Sequence, residues 1–343
     1  MTGPRTRRPT LATIAQAAGV SLPTVSKVLN GKDDVAAETR ARVRRLLEEH
    51  AYVPVGARRA ATDTVVVDLV FTALDSPWAV EIIRGVVESG VEPVVSAMAG
   101  NRDWAAKLVR TRRAGALLVT SELTKTDLRL LERARVPLVV VDPADLPSPD
   151  VPSVGATNWA GGLAATEHLL ELGHRRVAVI GGPYGFLCSK ARIDGYRTAL
   201  ERAGIAVDPD LVRHGDFHHE SGYRHALELL ALPEPPTAIF AGNDEQAMGV
   251  IEAARGLGLD VPGALSVVGF DDLPVARWSA PPLTTVRQPL AEMGRLAGRM
   301  LADLIAGTPP RSHRLELATP LIVRATTAPP ADRPPLNSPT TND

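Results

Sequence analysis

The sequence predicts an α/β protein: a small helical unit at the N-terminus, then a two-lobed core of parallel sheets wrapped by helices. Three observations predict it. The 343 residues are 45% hydrophobic and 22% charged, which is enough apolar material for large cores and too long a chain for one ordinary domain. The formal net charge of -1 is unevenly spread: residues 1–60 carry eleven Lys and Arg against five Asp and Glu, a balance of +6 that leaves -7 for the rest. Beyond about residue 64, short apolar runs alternate with amphipathic stretches, the pattern of strands and crossover helices.

Residues 10–50 read as three short helices. Thr10 can cap Leu11–Ala18, and Gly19 ends that segment. Ser21 can cap a second helix through Asn30, with Pro23 in the first turn, where a missing N–H costs nothing, and Gly31 closing it. The third, about 37–50, puts Val43, Leu46 and Leu47 on one face and arginines on the other. Ala36 stands where a hydroxyl cap is usual, a loss of about 1 kcal/mol. Strands are then expected at 65–71, 93–97, 115–120, 137–141, 176–180, 237–241 and 265–270. Helices are expected near 77–89, 102–113, 125–134, 157–172, 187–203, 220–231 and 243–257. The extended, proline-rich stretch 142–156 reads as a crossing between the lobes. The tail 328–343 has five prolines in sixteen residues and little to bury, so disorder is expected there. The division is thus 1–50 for the helical headpiece, 51–63 for a hinge, 64–327 for the core and 328–343 for the tail.

Composition and pattern exclude several classes. No apolar run approaches the roughly 18 residues of a membrane span. No apolar signal core follows the basic residues 1–10, and the lone Cys188 cannot form an internal disulfide, so a cytoplasmic protein is expected. No nucleophile, Walker or dinucleotide motif is present, so neither catalysis nor a cofactor is expected, and Gly181-Gly182 reads as a tight turn after a strand. The histidines at 214, 218, 219 and 225 lack firm ligand spacing, and no metal site is assigned.

Two groups of residues carry function. The run Thr10–Asn30 fits a helix-turn-helix, whose second helix enters the DNA major groove N-terminus first. That places Ser21, Leu22, Pro23, Thr24 and Lys27 at the DNA, and we count Thr10, Ser26 and Asn30 with them, while Ile14, Ala15, Ala18, Val20, Val25 and Val28 hold the helices together. In open parallel sheets, ligands bind beyond the carboxyl ends of the strands. Asp75 to Trp78, Gly181-Gly182, Phe217, Asn243-Asp244 and Asp271 stand directly after predicted strands. Carboxylates and amides beside aromatic rings suit a polyhydroxylated ligand, whose vicinal hydroxyls pair with Asp and Asn while a ring face stacks. Asp244 and Asp272 are read instead as caps.

The headpiece run Thr-Leu-Ala-x-Ile-Ala-x-x-Ala-Gly-Val-Ser-x-x-Thr-Val-Ser-Lys-Val-Leu-Asn-Gly, followed by Thr39-Arg40 and Tyr52-Val53-Pro54, resembles the lactose/galactose-repressor family. The resemblance continues to about residue 327 through Ala241-Gly-Asn-Asp-Glu-Gln-Ala247, Gly269-Phe-Asp-Asp272 and the stretch 281–289. It implies a homodimeric transcriptional regulator, most simply a repressor, on a pseudo-palindromic operator, with a periplasmic-binding-protein-like core that takes a small effector, expected to be a sugar. A nucleobase-type effector or an activator is the alternative; more distant ones are a solute-binding protein or a sugar-modifying enzyme using Asp271 or Asp244. By the resemblance, Asp75 and Trp78 belong to the amino-terminal lobe's side of the effector site. Arg192 matches the effector-binding arginine, and Phe217, Asn243, Asp271 and Gln288 match further pocket positions. The family's hinge presents a leucine that wedges into the minor groove. Here Ala61 takes that place and Gly56 makes ordering a helix costlier, so weaker operator bending is expected, with Arg58 and Arg59 contacting phosphates or a narrow minor groove.

Overall fold

The computed structural model describes residues 10–29, 35–50, 65–98, 103–120 and 123–331. The chain divides into two compact units, Met1–Asp63 and Thr64–Asp343. Asn30, the hinge with Arg58, Arg59 and Ala61, and the tail beyond residue 331 lie outside the described residues.

The first unit is built from α1 (Leu11–Ala18), α2 (Leu22–Leu29) and α3 (Ala37–Glu49). Thr10 accepts from the Thr13 N–H and forms a reciprocal cap with it, and Gly19 ends α1 at φ 63°, a left-handed turn that glycine adopts without strain. The Ser21 hydroxyl accepts from the Thr24 N–H at 3.4 Å. Ile14, Ala15, Ala18, Val25, Val28 and Val43 form one small core, with Val20, Leu46 and Leu47 packed against it. Ala36 does precede α3: its carbonyl accepts from the Arg40 N–H at 2.9 Å, and it has no side chain with which to cap.

The second unit begins with β1 (Val66–Phe71), α4 (Pro77–Glu88), β2 (Glu92–Ala97), α5 (Trp104–Thr111), β3 (Ala116–Val119), α6 (Lys125–Arg133), β4 (Leu138–Val141) and β5 (Ser153–Ala156). It continues with α7 (Asn158–Glu171), β6 (Val177–Gly181), α8 (Leu187–Arg202), β7 (Val212–His214), α9 (His219–Leu230), β8 (Ala238–Ala241), α10 (Asp244–Gly256), β9 (Ser266–Asp271), α11 (Pro274–Trp278) and β10 (Thr284–Arg287). Last come α12 (Leu290–Ile305), β11 (Arg314–Leu317) and β12 (Leu321–Ile322). Two six-stranded sheets result, in the orders β11-β5-β4-β3-β1-β2 and β12-β10-β9-β8-β6-β7. Every pairing is parallel except β10 with β12. Each sheet is covered by apolar clusters on both faces: the first by those holding Ile82, Met293 and Leu301 and, opposite, Trp104 and Leu131; the second by those holding Ile239 and Val250 and, opposite, Tyr196 and Phe270.

All seven expected strands and all seven expected core helices are present, with ends shifted by one or two residues. The crossing is displaced. Residues 153–156, read as part of it, form β5 inside the first sheet, where Val154 and Ala156 are buried, so the chain passes to the second lobe only at 156–158. It passes between lobes twice more, at 287–290 and 317–321, because α12 packs on α4 in the first lobe while β12 joins the second sheet. Strands β5, β7, β10, β11 and β12 and helices α11 and α12 were not expected. The start of the tail also needs correction: Ala328 is tied in by hydrogen bonds with Ser266 and His174, so packing continues at least that far.

Candidate functional site

The strand ends of the two lobes in the second unit face one another across a cavity of about 220 Å³. From the first lobe it is lined by Phe71, Thr72, Asp75, Trp78, Thr120 and Asp142; from the second by Phe186, Cys188, Arg192, Asp216, Phe217, Asn243 and Asp271, among others. Six of the seven residues expected at an effector site thus share one wall-to-wall space. Gln288 does not line it. It is buried behind Arg192 and accepts from that guanidinium's Nη2 at 3.0 Å, because the crossing at 287–290 turns it inward.

Arg192 is the centre of the arrangement. It leaves α8 buried, and Gly162 on α7 lets the two helices approach so closely that any Cβ there would strike the Arg192 backbone. Its Nε donates to Asn158 Oδ1 at 2.9 Å and its Nη1 to the Gly242 carbonyl at 2.6 Å. The guanidinium carbon stands 3.7 Å from the Phe270 ring centroid and 5.6 Å from that of Phe217. Bonds and rings on several sides fix the fork while it still faces the cavity, where Asp271 Oδ1 lies 3.8 Å from Nη2. That oxygen is buried and has no hydrogen-bond partner. Burial pushes the Asp271 carboxyl up to about 7, with Arg192 pulling down and Asp142 and Glu245 pushing further up. Asp142 is likewise raised by burial, against the pull of Arg192 and Asn158.

Asn243 is both cap and clamp. Its Oδ1 accepts from the Gln246 N–H at 2.9 Å at the start of α10, and its Nδ2 donates to the Phe217 carbonyl at 2.8 Å. Phe217 takes a left-handed backbone at φ 72°, and its ring lies where a side chain on Gly182 would be. Gly181-Gly182 therefore does more than turn the chain, since Gly182 leaves room for the ring. Seven described non-glycine residues have positive φ, and four of them, Thr120, Asp142, Phe217 and Asp271, line this cavity. Such backbones cost about 1 to 3 kcal/mol each and gather at ligand sites, where surrounding structure holds them.

The remaining sequence expectations fall as follows. Asp244 is not the cap. It is fully buried, accepting from the Leu273 N–H at 2.7 Å and from Thr285 Oγ1 at 2.5 Å. Asp272 is not a cap either; its buried carboxylate pairs with Arg324 at 2.5 Å, Arg287 at 2.8 Å and Arg277 at 3.6 Å. The four histidine rings do not converge: His218 faces Asp75, His219 faces Glu252, His225 lies between Glu228 and the His214 carbonyl, and the His214 ring stands edge-on to Tyr184. No group of three or more metal-ligating residues occurs among the described residues. Cys188 is buried and its thiol is pushed up to about 12 by burial first and by Asp142 next, which disfavours the thiolate. Sequence reasoning passed over Asp142, Asn158, Thr120 and the Ser76–Glu245 hydrogen bond that joins the lobes.

In the first unit, Ser21, Leu22, Pro23 and Lys27 stand exposed at one side of α2, with Thr24 and Ser26 half-buried, while Val25 and Val28 face the core. An exposed N-terminal helix end of this kind can enter a groove.

Comparison with known proteins places both units. Residues 10–55 match the lacI family of bacterial regulatory proteins, and residues 166–327 match a periplasmic binding protein-like domain. The HTH-type transcriptional regulator CelR of Thermobifida fusca is 36% identical over 337 residues, covering 93% of this chain and 98% of its own. The chain belongs to the lacI family. Among solved structures, this lacI-family protein is similar to a transcriptional regulator CelR–cellobiose complex, at 36% identity and a TM-score of 0.71 over 93% of this chain and 100% of that one. It is also similar to the Lac repressor dimer bound to operator and the anti-inducer ONPF, at 28% identity and a TM-score of 0.77 over 94% and 100%. It is a transcriptional regulator with a helix-turn-helix domain, not an enzyme. No described helix is long and apolar enough to cross a membrane.

Proposed function

We propose that this regulator is a cytoplasmic repressor that binds a pseudo-palindromic operator as a homodimer and is controlled by a sugar in the cavity between its lobes. Residues 1–50 read the DNA through Ser21, Leu22, Pro23, Thr24 and Lys27, flanked by Thr10, Ser26 and Asn30. Residues 51–63 with Arg58 and Arg59 connect them to the core. The observation that carries the sugar reading is the pairing of a fixed, partly committed Arg192 with a buried, unpartnered Asp271 oxygen in a cavity that Phe217 and Trp78 also line. A sugar hydroxyl supplies the missing donor, accepts from the guanidinium, and lays its C–H face on an aromatic ring. The cellobiose bound in the CelR complex supports the same class. Effector binding favours one lobe arrangement over another, and DNA affinity changes only as far as the sugar's affinity differs between them.

Thermal unfolding of the full chain with monosaccharides, disaccharides and free nucleobases tests this, since a ligand of the folded core raises the midpoint. The same sugar must weaken binding to DNA selected from a random palindromic pool. A nucleobase that stabilises where no sugar does overturns the sugar reading, and a sugar that tightens DNA binding overturns repression relieved by effector. Lys27→Ala weakens specific binding by about 1 to 3 kcal/mol if Lys27 meets a base edge, and equally on all sequences if it meets a phosphate.

A further inference from the structure

The charges around the cavity restrict which sugar it can hold. Among the described residues its wall carries four carboxylates, Asp75, Asp142, Asp216 and Asp271, against one guanidinium, Arg192. His218 also lines it but already faces Asp75 at 3.6 Å. Three of the five N–H groups of Arg192 are spent on Asn158, Gly242 and Gln288, so the single cation has little left to clamp a phosphate in the two-pronged way that recognition usually requires.

Helix N-termini are the other ordinary seats for an anion; that of α9 opens at His218 with no side-chain cap, but it has Glu220 in its first turn and Asp216 accepting the His218 N–H, and those of α4, α10 and α8 carry partners from the chain itself. On α4, Ser76 Oγ accepts from the Trp78 N–H and donates to Glu245, so that a carboxylate of the chain itself already sits at this end. On α10, Asn243 takes the Gln246 N–H, and the first turn holds Asp244 and Glu245. On α8, the Leu187 N–H is donated to the Ala144 carbonyl, and the residues presented to the cavity are Phe186 and Cys188.

We infer that the cavity selects uncharged sugars and rejects phosphorylated and acidic ones. The inference rests on the sugar reading above and sharpens it. Protons on the two most buried carboxyls do not reverse it, because Asp216 keeps its charge. Although its partial burial opposes this, Asp216 is held below the usual carboxylate range by hydrogen bonds from Ser221 and the His218 N–H. A dianionic phosphate brought within several ångströms of these groups, in a space partly shielded from water, meets net repulsion.

Calorimetry on the full chain decides it. The neutral sugar that binds best among glucose, cellobiose and maltose is compared with its 6-phosphate and with the matching uronic acid, at low and at high salt. The charged forms are expected to bind at least about tenfold more weakly, with the gap narrowing as salt rises. In the double variant Asp75→Asn with Asp216→Asn, the ratio of neutral to charged affinity is expected to shrink, whatever happens to the neutral affinity itself. A charged sugar that binds as tightly as its parent overturns the inference and leaves the sugar reading intact. A ratio unmoved by both salt and the double variant overturns the electrostatic basis, leaving only shape. If no saccharide of either kind binds, the sugar reading and this inference fall together.

Discussion

The two lobes share a frame and differ in what they hang on it. Both sheets place their strands in corresponding order, differing at the outer end, where β11 runs parallel to β5 and β12 antiparallel to β10. At the cavity, the second lobe carries an interlocked set. Arg192 is held by Asn158, Gly242 and Gln288, and Asn243 clamps Phe217. The first lobe offers Phe71, Trp78 and Val119 with the acids Asp75 and Asp142, and it reaches the other side through Ser76–Glu245 and Asp75–His218. The second lobe is therefore the preorganised half, since its polar groups are aimed before a ligand arrives, and closure over a ligand is expected to come from the first lobe. Two of the three groups that hold Arg192, Asn158 and Gln288, lie on interlobe crossings, so a ligand that pulls on this guanidinium acts on the segments that join the lobes.

Removing Arg192 is the harshest test of that contrast. Arg192→Ala strands Asp271 and Asp142 as uncompensated buried acids and leaves Asn158 and Gln288 without a donor. Loss of one partner of a buried ion pair costs about 3 to 5 kcal/mol. Denaturant unfolding of the core is expected to show a loss of that size, with effector affinity reduced by about two orders of magnitude or more. A variant with near-normal stability would mean that the second lobe is not held by this network.

How much of this was legible beforehand follows the same division. The headpiece and the parallel strands were readable because caps, glycines and apolar runs are local signals. Thr10, Gly19 and the runs that became β1, β4 and β9 all behave as their neighbours dictate. Helix α12 could have been found, since Leu290, Met293, Ala297 and Leu301 recur at helical spacing and all face the core. Strands β5, β10, β11 and β12 are two to four residues long and are defined by distant partners, so nothing local marks them. At the site, Arg192, Asn243 and Asp271 were reachable from strand ends and family resemblance. Asp142 was hidden inside a stretch read as linker, and Gln288 was placed a layer too far forward because its direction depends on how the chain crosses. The left-handed backbones at Thr120, Asp142, Phe217 and Asp271 leave no mark in residue type, yet in the folded chain they single out the cavity.

A smaller perturbation asks whether the Phe217 ring is held in place or free to adapt. Gly182→Ala puts a methyl group where that ring lies. The ring must move, at a stability cost of about 1 to 3 kcal/mol typical of overpacking. Because Asn243 pins the Phe217 backbone, the displacement falls on the ring's contact with the ligand, and effector affinity is expected to drop by about tenfold or more, read by calorimetry. Unchanged affinity would show that the ring is not a binding wall.

The acids give a pH signature of intermediate size. Asp271 is raised to about 7 by burial, and a sugar hydroxyl that donates to it favours the ionised form. Effector affinity is therefore expected to be level above this range and to fall by up to about tenfold per pH unit below 7. Stability of the empty core runs the opposite way. A carboxyl whose folded pKa is raised contributes fully below the ordinary carboxylate range and loses that contribution as pH rises through about 7. Asp271→Asn should flatten both profiles, and an affinity profile that stays flat in the wild type would remove Asp271 from ligand contact.

The mildest change probes the closing half alone. Ser76→Ala confounds two effects, because the hydroxyl also caps α4 by accepting from the Trp78 N–H, a cap typically worth about 1 kcal/mol. Glu245→Ala leaves that cap intact and removes the acceptor in the second lobe, together with its charge in the first turn of α10. Burial raises the Glu245 carboxyl above its usual range, with Ser76 and His218 pulling it down, so its removal also relieves a strained charge and the net change in stability should be small. The interlobe hydrogen bond is worth about 0.5 to 1.5 kcal/mol. If closure over the ligand uses this bond, effector affinity falls by about two- to tenfold and dissociation speeds up by the same factor, while association is unchanged. Stopped-flow measurement of both rates separates the outcomes: equal kinetics in wild type and variant would mean that the Ser76–Glu245 contact is not part of the closed, liganded state, and the first lobe would then close through its other cavity residues, Asp75 with His218, Trp78 and Asp142.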